Sequence, residues 1–252
     1  LEIPTGGILS VSDIEPDTTF NSSSAEGQIR FGLDVNPDYA KLVISGGAVS
    51  VTQLGAPSTS TNDGSVVVTA GTLTVTGDFL LDNTNISGGF SPRAQLTGGT
   101  VSVAGDWIVR DAEDEDSLEF STGGGTVRFN GVTNQSIIHL PEEEGLPTQG
   151  TGLWDLTIDH AGINTTVSLH ENLTVRNRLT ITDGRLNVPG TILTLSGAEA
   201  HSVALAGEFF VEPTGSSNAG LVFSPGATLS VAGSLKLKRA SGSTATSILS
   251  AT

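Results

Sequence analysis

The chain of 252 residues contains no cysteine and no methionine, and only 5% of its residues are aromatic. Without cysteine, no disulfide contributes to stability. The scarcity of large side chains argues against a wide globular core and favours a narrow core of stacked valine, leucine and isoleucine. Long apolar runs are absent too, and none approaches the roughly 20 residues of a membrane-spanning helix. We therefore expect no membrane span.

Basic residues are also scarce, since 11 Lys and Arg face 27 Asp and Glu and give a formal net charge of −16. Such a chain is a poor partner for nucleic acid, because that affinity comes mainly from cationic contacts to phosphate. An acidic surface suits solubility, divalent cations or basic partners. The charge therefore predicts no nucleic-acid partner.

Glycine, in contrast, is abundant at 32 residues, and it recurs within a repeated phrase of two β-rich runs joined by a glycine step. The phrase occurs as LVISGGAVSV, VVVTAGTLTVTGDFLL, AQLTGGTVSVAGDWIV and EFSTGGGTVRFNGV. The last glycine of each step is Gly47, Gly71, Gly99 or Gly125, which gives spacings of 24, 28 and 26 residues. A near-constant period of this size is typical of a solenoid.

Apolar residues alternate with Thr or Ser within the repeats, as expected for strands with one buried face. The glycines lie where the chain turns, because glycine tolerates positive φ. The sequence thus predicts an all-β fold, a β-solenoid with coils of roughly 24–28 residues. We expect residues 1–40 to form a cap or a first coil with loops, and residues 41–252 to form the solenoid, with a surface loop at 139–152.

The segments GTLTVTGDFLL, GGTVSVAGDWIV and GATLSVAGSL resemble the autotransporter-associated β-strand repeats of bacterial secreted and surface proteins. GTVRFNGVTNQSI and the strand-rich segments after it resemble large bacterial extracellular β-solenoids. Together these matches cover roughly residues 41–238. The resemblance implies a right-handed parallel β-helix that is located outside the cell or at its surface, in an adhesin, a surface fibre or a matrix component.

An acidic run supplies the candidate metal ligands Asp111, Glu113, Asp114 and Asp116. Calcium takes six to eight oxygen ligands, which carboxylates supply. The run lacks the glycine-punctuated spacing of known calcium loops, so a solvated acidic loop is the simpler interpretation. Calcium is the one cofactor that the sequence leaves open, and no other is expected.

Catalytic motifs are absent from the sequence. The histidines (His139, His160, His170 and His201) have no metal-ligand spacing, so we expect surface or turn positions. The basic residues Lys41, Arg93, Arg110, Arg128, Arg176, Arg178 and Arg185 are scattered and form no ladder. Trp107 and Trp154 are expected to cap the core, with a carbohydrate-stacking platform as the alternative. We therefore predict no enzyme activity.

A solenoid buries its apolar faces only when coils stack, so an end coil must be capped or must pair with another molecule. Leu1, Ile3, Ile248 and Leu249 carry apolar alternation at the two ends. We therefore expect a structural protein that forms a homopolymer through its end coils and contacts glycans or cell-surface matrix. The alternatives are a carbohydrate-active β-helix enzyme, either a polysaccharide lyase or a hydrolase, and a glycan-binding module.

Overall fold

A computed structural model describes residues 2–3, 8–10, 28–29, 40–51, 53–54, 64–82, 93–110, 119–122, 124–140, 152–160, 165–214, 216–238 and 245–251. The chain divides into two compact units. Unit 1 contains Leu1–Gly125 and Leu140–Thr151, and unit 2 contains Thr126–His139 and Gly152–Thr252. Within the described residues every regular element is a β-strand. The all-β prediction is confirmed.

Unit 1 contains eleven strands, several of which are only two or three residues long. They are β1 (Glu2–Ile3), β2 (Ile8–Ser10), β3 (Gln28–Ile29), β4 (Ala40–Val51), β5 (Gln53–Leu54), β6 (Gly64–Val75), β7 (Phe79–Asp82), β8 (Arg93–Leu96), β9 (Thr100–Val103), β10 (Trp107–Arg110) and β11 (Glu119–Thr122).

Unit 2 contains eleven further strands, and some of the longest bend through two or three segments. They are β12 (Thr126–Phe129), β13 (Gln135–Leu140), β14 (Gly152–Asp159), β15 (Thr166–Leu169), β16 (Leu173–Pro189), β17 (Ile192–Leu195), β18 (Ala200–Glu212), β19 (Ala219–Phe223), β20 (Thr228–Val231), β21 (Ser234–Leu237) and β22 (Ser247–Ala251).

The strands of unit 1 stack in parallel as three columns, so that each coil contributes one segment to each column. Column 1A contains β1, the first halves of β4 and β6, β8 and β11. Column 1B contains β2, the second halves of β4 and β6, and β9. Column 1C contains β3, β5, β7 and β10. This is the parallel β-solenoid that the repeat predicts.

Unit 2 follows the same plan. Column 2A contains the first segments of β14 and β16, then β17, β19 and β22. Column 2B contains β12, the second half of β14, the middle of β16, the first half of β18 and β20. Column 2C contains β13, β15, the last part of β16, the second half of β18 and β21.

The core of each unit consists of matching residues stacked coil upon coil. In column 1A, Ile44 pairs with Val68, which pairs with Leu96, and all three are buried. In column 1C, Phe79 stacks on Trp107 with ring centroids 4.2 Å apart and planes 8° from parallel. Trp107 is therefore a core residue, whereas the sequence predicts that it caps the core. Burying each such side chain stabilises the fold by about 1.5–3 kcal/mol.

Glycine forms the corner between columns 1A and 1B. Gly47, Gly71 and Gly99 at this corner have φ values of 69°, 78° and 70°, and Gly125, which follows β11, has a φ of 103°. The coils also approach closely there, since a Cβ on Gly71 would lie 2.7 Å from the carbonyl carbon of Gly46. The glycine step of the repeat is thus required both by backbone conformation and by the contact between neighbouring coils.

Coil length is regular in unit 1 from β4 onward and varies more in unit 2. In column 1A, register partners are 24, 28 and 26 residues apart. In column 2C, Gln135 pairs with Val167, a step of 32 residues, and Val167 pairs with Leu186, a step of 19. The core register is kept while the turns absorb the difference in length.

Two segments predicted from sequence, 1–40 and 139–152, are described only in part. Of residues 1–40, the described strands β1, β2 and β3 pair with β4 and β5. Of the expected loop at 139–152, residues 141–151 lie outside the described residues. The domain boundaries stay predictions.

Candidate functional site

The last coil of unit 2 exposes positions that are buried one coil earlier; we call β20, β21 and β22 the open end. Val203 is 1% exposed, whereas its register partner is 40% exposed. Val211 and Leu221 are fully buried, and their partners Leu237 and Leu249 are 46% and 54% exposed. The open end therefore presents apolar side chains that have the alternation of a core layer.

The strands of the open end pair through their backbone with the preceding coil. Among the described residues, the register partners of β20, β21 and β22 all lie in β18 and β19, the preceding coil. A strand edge with free N–H and C=O groups is a template for another strand. The open end thus combines an apolar surface with a strand edge in each of three columns.

A group of charged side chains surrounds one phenylalanine on the outer face of column 2C; we call it the Phe210 cluster. Its members are Arg185, Glu208, Phe210, Glu212, Lys236 and Lys238. They come from three successive coils, because the last part of β16, the second half of β18 and the chain at β21 are neighbours in the column. Cross-coil stacking therefore collects residues that are far apart in sequence.

Three cations lie over the ring of Phe210. The guanidinium carbon of Arg185 is 4.3 Å from the ring centroid, and the Nζ atoms of Lys236 and Lys238 are 4.8 and 4.5 Å from it. Phe210 is buried although it faces outward, since these side chains cover it. Each such contact contributes about 0.5–1 kcal/mol at a surface site.

The same cations donate to two carboxylates. Arg185 donates to Glu208 Oε2 through Nη2 at 2.6 Å and through Nε at 3.0 Å. Lys236 Nζ donates to Glu208 Oε1 at 3.2 Å, and Lys238 Nζ donates to Glu212 Oε2 at 3.0 Å. The hydrogen bond from Arg185 is the main cause that lowers the pKa of Glu208. The cluster fastens β21, and with it the open end, to the two coils before it.

A second polar group lies on column 2B. Asp155 accepts a hydrogen bond from Asn177 Nδ2 at 2.8 Å and one from Arg178 Nη2 at 3.3 Å. Arg128 forms an ion pair with Asp159 on the next coil. These pairs join neighbouring coils on the outer face and involve five polar side chains of unit 2.

The sequence did not predict the Phe210 cluster. The sequence predicts that Arg185 is one of a set of scattered basic residues; in column 2C it shares Glu208 with Lys236, a lysine outside that set. The alternation in Ser234-Leu-Lys-Leu-Lys238 indicates that both lysines face outward. Their neighbours on other coils are known only once the register is known.

The histidines are expected at surface or turn positions, and this is wrong for His139 and His201, which are buried within strands. His139, His160 and His201 are buried, and only His170 is exposed. The period-two pattern contained a signal for His201, because it alternates with Val203 on the inward face of β18.

The calcium candidates Asp111, Glu113, Asp114 and Asp116 lie outside the described residues. Among the residues that the structure describes, no three His, Cys, Asp or Glu side chains form a group that could hold a metal ion. Calcium therefore stays a prediction.

Of the assembly candidates, Leu1 lies outside the described residues. Ile3 pairs in register with Ile44, and Ile248 and Leu249 lie in β22 of the open end, 37% and 54% exposed. Trp154 is half-buried in β14. The structure thus brings two of the four candidates together at one surface.

The chain has no match among family models, curated proteins or solved structures. Within the described part of the chain, no helix has the length and apolar character that crossing a membrane requires.

Proposed function

We propose that the chain is a non-enzymatic structural protein, a β-solenoid subunit of a bacterial extracellular surface fibre, sheath or adhesin. In this proposal copies of the chain associate through the open end. Its activity is mechanical, because ladders of backbone hydrogen bonds and stacked aliphatic layers make a stiff scaffold. The resemblance of the repeats to secreted bacterial solenoids supports the extracellular location.

The observation that carries this proposal is the loss of burial at the open end. Val231, Leu237 and Leu249 occupy core positions of their columns and yet are 40–54% exposed. The surface that fits them is another coil of the same kind, because the internal coils bury these positions with parallel strands in register. A second copy of this chain supplies such coils, so we assign it as the occupant.

A carbohydrate-active enzyme or glycan-binding module is the second candidate, and the Phe210 cluster is the observation in its favour. Acidic and basic side chains lie side by side there on one solenoid face. However, Arg185, Lys236 and Lys238 already donate to Glu208 and Glu212. The ring of Phe210 is also covered, so it offers no stacking surface for a sugar. The cluster is better explained by its role in fastening the last coil.

Sedimentation velocity over a hundredfold range of protein concentration tests the proposal. The wild-type chain should form larger species as the concentration rises, and electron micrographs should show filaments. The double variant Leu237→Lys/Leu249→Lys should stay monomeric, because two charged side chains cannot be buried between coils at low cost.

Leu205→Lys is the matched control, because Leu205 is 85% exposed and lies in β18, outside the open end. It should assemble like the wild type. Circular dichroism checks that each variant is folded. A wild-type chain that remains monomeric at every concentration would overturn the proposal, and so would assembly of the double variant. Equilibrium dialysis with calcium tests the acidic run separately.

A further inference from the structure

All four histidines of the chain belong to unit 2, and unit 1 contains none. His139 lies in β13, His160 directly after β14, and His201 in the first half of β18. All three are buried, with at most 3% of each residue exposed. Histidine titrates near pH 6.5 when it is exposed. Unit 2 therefore encloses three histidine side chains that would take up a proton in mildly acidic water once exposed, and unit 1 contains no histidine.

His201 is held in the neutral form by its hydrogen bond. The backbone N–H of Leu179 donates to His201 Nδ1 at 2.9 Å, so this nitrogen acts as an acceptor and the ring proton lies on Nε2. Protonation of Nδ1 would break this bond between neighbouring coils. Burial lowers the pKa of His201, and the backbone of Ser196 and the carboxylate of Asp155 oppose this only in part.

His160 is tightly packed against the next coil. A Cβ on Gly184 would lie 2.8 Å from the Cβ of His160 and 3.2 Å from its ring carbon Cδ2. The ring therefore has little room to turn toward water without displacing the backbone at Gly184. Burial is the main cause that lowers the pKa of His160, while the backbone of Gly131 and the carboxylates of Asp183 and Asp159 act against it.

The carboxylates that face these histidines already have partners. Asp155 accepts from Asn177 and Arg178. Asp159 pairs with Arg128, and Asp183 Oδ1 accepts from the N–H of Gly184 at 2.7 Å. A new imidazolium would therefore have to compete for carboxylates that already accept hydrogen bonds or pair with arginine.

Among the described residues, the charge that acts on His139 is that of a cation, Arg176. Burial and the charge of Arg176 together lower the pKa of His139 to about 3. A positive imidazolium at this position would be both desolvated and repelled. Among the three histidines, His139 is therefore the one whose protonation opposes folding most strongly.

We infer that unit 2 is an acid-responsive module, in which protonation of His139, His160 and His201 opens unit 2 at a pH where unit 1 remains folded. The chain would then respond to an acidic environment by losing one half of its fold. This inference stands apart from the proposed assembly, because it concerns the interior of unit 2 and not the open end.

The direction of the pH effect on the stability of unit 2 follows from the linkage between proton binding and folding. A histidine with a lower pKa in the folded state binds its proton more readily in the unfolded state, so acid favours unfolding. The stability of unit 2 is complete above about pH 6.5 and falls as the pH drops toward the folded pKa of His139, about 3. At pH 5, His139 alone should raise the unfolding equilibrium constant about 30-fold by this relation.

Each unit contains one tryptophan, Trp107 in unit 1 and Trp154 in unit 2, so the test needs no labelling. Trp107→Phe leaves a reporter for unit 2, and Trp154→Phe leaves a reporter for unit 1. Urea unfolding of both full-length variants is followed by fluorescence between pH 7 and pH 5. The urea midpoint reported by Trp154 should fall over this range, and that reported by Trp107 should stay nearly constant.

In the Trp107→Phe background, each variant is compared with its own unfolding equilibrium constant at pH 7. His139→Gln should remove the increase of about 30-fold that His139 causes in this constant at pH 5. His170→Gln is the control, because His170 is exposed. If His139→Gln does not fold, hydrogen exchange of the unmutated chain at pH 7 and pH 5 gives the same comparison for peptides of the two units. Equal loss in both units, or no loss in unit 2, would overturn the inference.

Discussion

Replacing Gly197 by alanine should destabilise unit 2 far more than the same change at Gly226. Both glycines lie between columns 2A and 2B, in successive coils, and both have positive φ, 96° and 85°. A Cβ on Gly197 would lie 3.0 Å from the Cα of Asn177 in the preceding coil, and closer still to the Arg176 carbonyl oxygen. A Cβ on Gly226 would meet no atom within 4 Å. Comparing the two alanine variants therefore separates the cost of backbone strain from the cost of a clash between coils.

The magnitude follows from two contributions. An L-residue in the left-handed region costs about 1–2 kcal/mol, and both variants incur this. Overpacking in a site that cannot relax adds about 1–3 kcal/mol, and only Gly197→Ala incurs that, because the obstacle is backbone. We expect a loss of about 1–2 kcal/mol for Gly226→Ala and about 2–5 kcal/mol for Gly197→Ala.

Urea unfolding measured by Trp154 fluorescence, in the Trp107→Phe background, provides the assay for both variants at pH 7.5, where His139, His160 and His201 are neutral. Gly197→Asn is a useful third variant, since asparagine tolerates positive φ but still carries a Cβ. It should remain strongly destabilised. Equal losses for the two alanine variants would refute the argument that close approach of coils requires glycine at this corner.

Three further changes test other contacts. Glu208→Gln removes the carboxylate shared by two cations. By urea midpoint it should cost about 1 kcal/mol at low salt and less at 1 M NaCl, and an unchanged midpoint at pH 7 would contradict this. Because the pKa of Glu208 is lowered, the contribution is present above about pH 4.5 and lost below it. Phe79→Ala deletes the buried partner of Trp107 and should cost about 3–5 kcal/mol in unit 1, by Trp107 fluorescence; Trp154→Phe alone is its reference. Asn172→Ala removes the acceptor 2.8 Å from the Ile192 N–H, so that amide should exchange faster, while Asn172→Asp should restore protection.

The repeat was sufficient to predict the corners and the inward positions of unit 1. Gly47, Gly71, Gly99 and Gly125 were aligned from sequence, and all four have positive φ in the folded chain. This succeeded because both signals are local: alternation fixes which side of a strand is buried, and glycine marks the turn. The coil period follows once the glycines are aligned.

Relations between coils were harder to predict, because they depend on register. Glu208 meets Arg185 on one neighbouring coil and Lys236 on the other, 23 and 28 residues away. In unit 2 the step between register partners varies between 19 and 32 residues, so no fixed period gives these pairs. His160 was missed for a related reason, since its burial depends on the approach of Gly184 from the next coil.

The Phe210 cluster and the open end are two consequences of the same stacking rule. In a solenoid each coil is stabilised by its two neighbours, so a coil with one neighbour among the described residues lacks half of that stabilisation. Burying Leu237 and Leu249 under a further coil would contribute about 1.5–3 kcal/mol each. The ion pairs and cation–aromatic contacts around Phe210 contribute about 0.5–1 kcal/mol each, and they all lie on one column. They hold β21 in place, while within the described residues Leu237 and Leu249 stay 46% and 54% exposed.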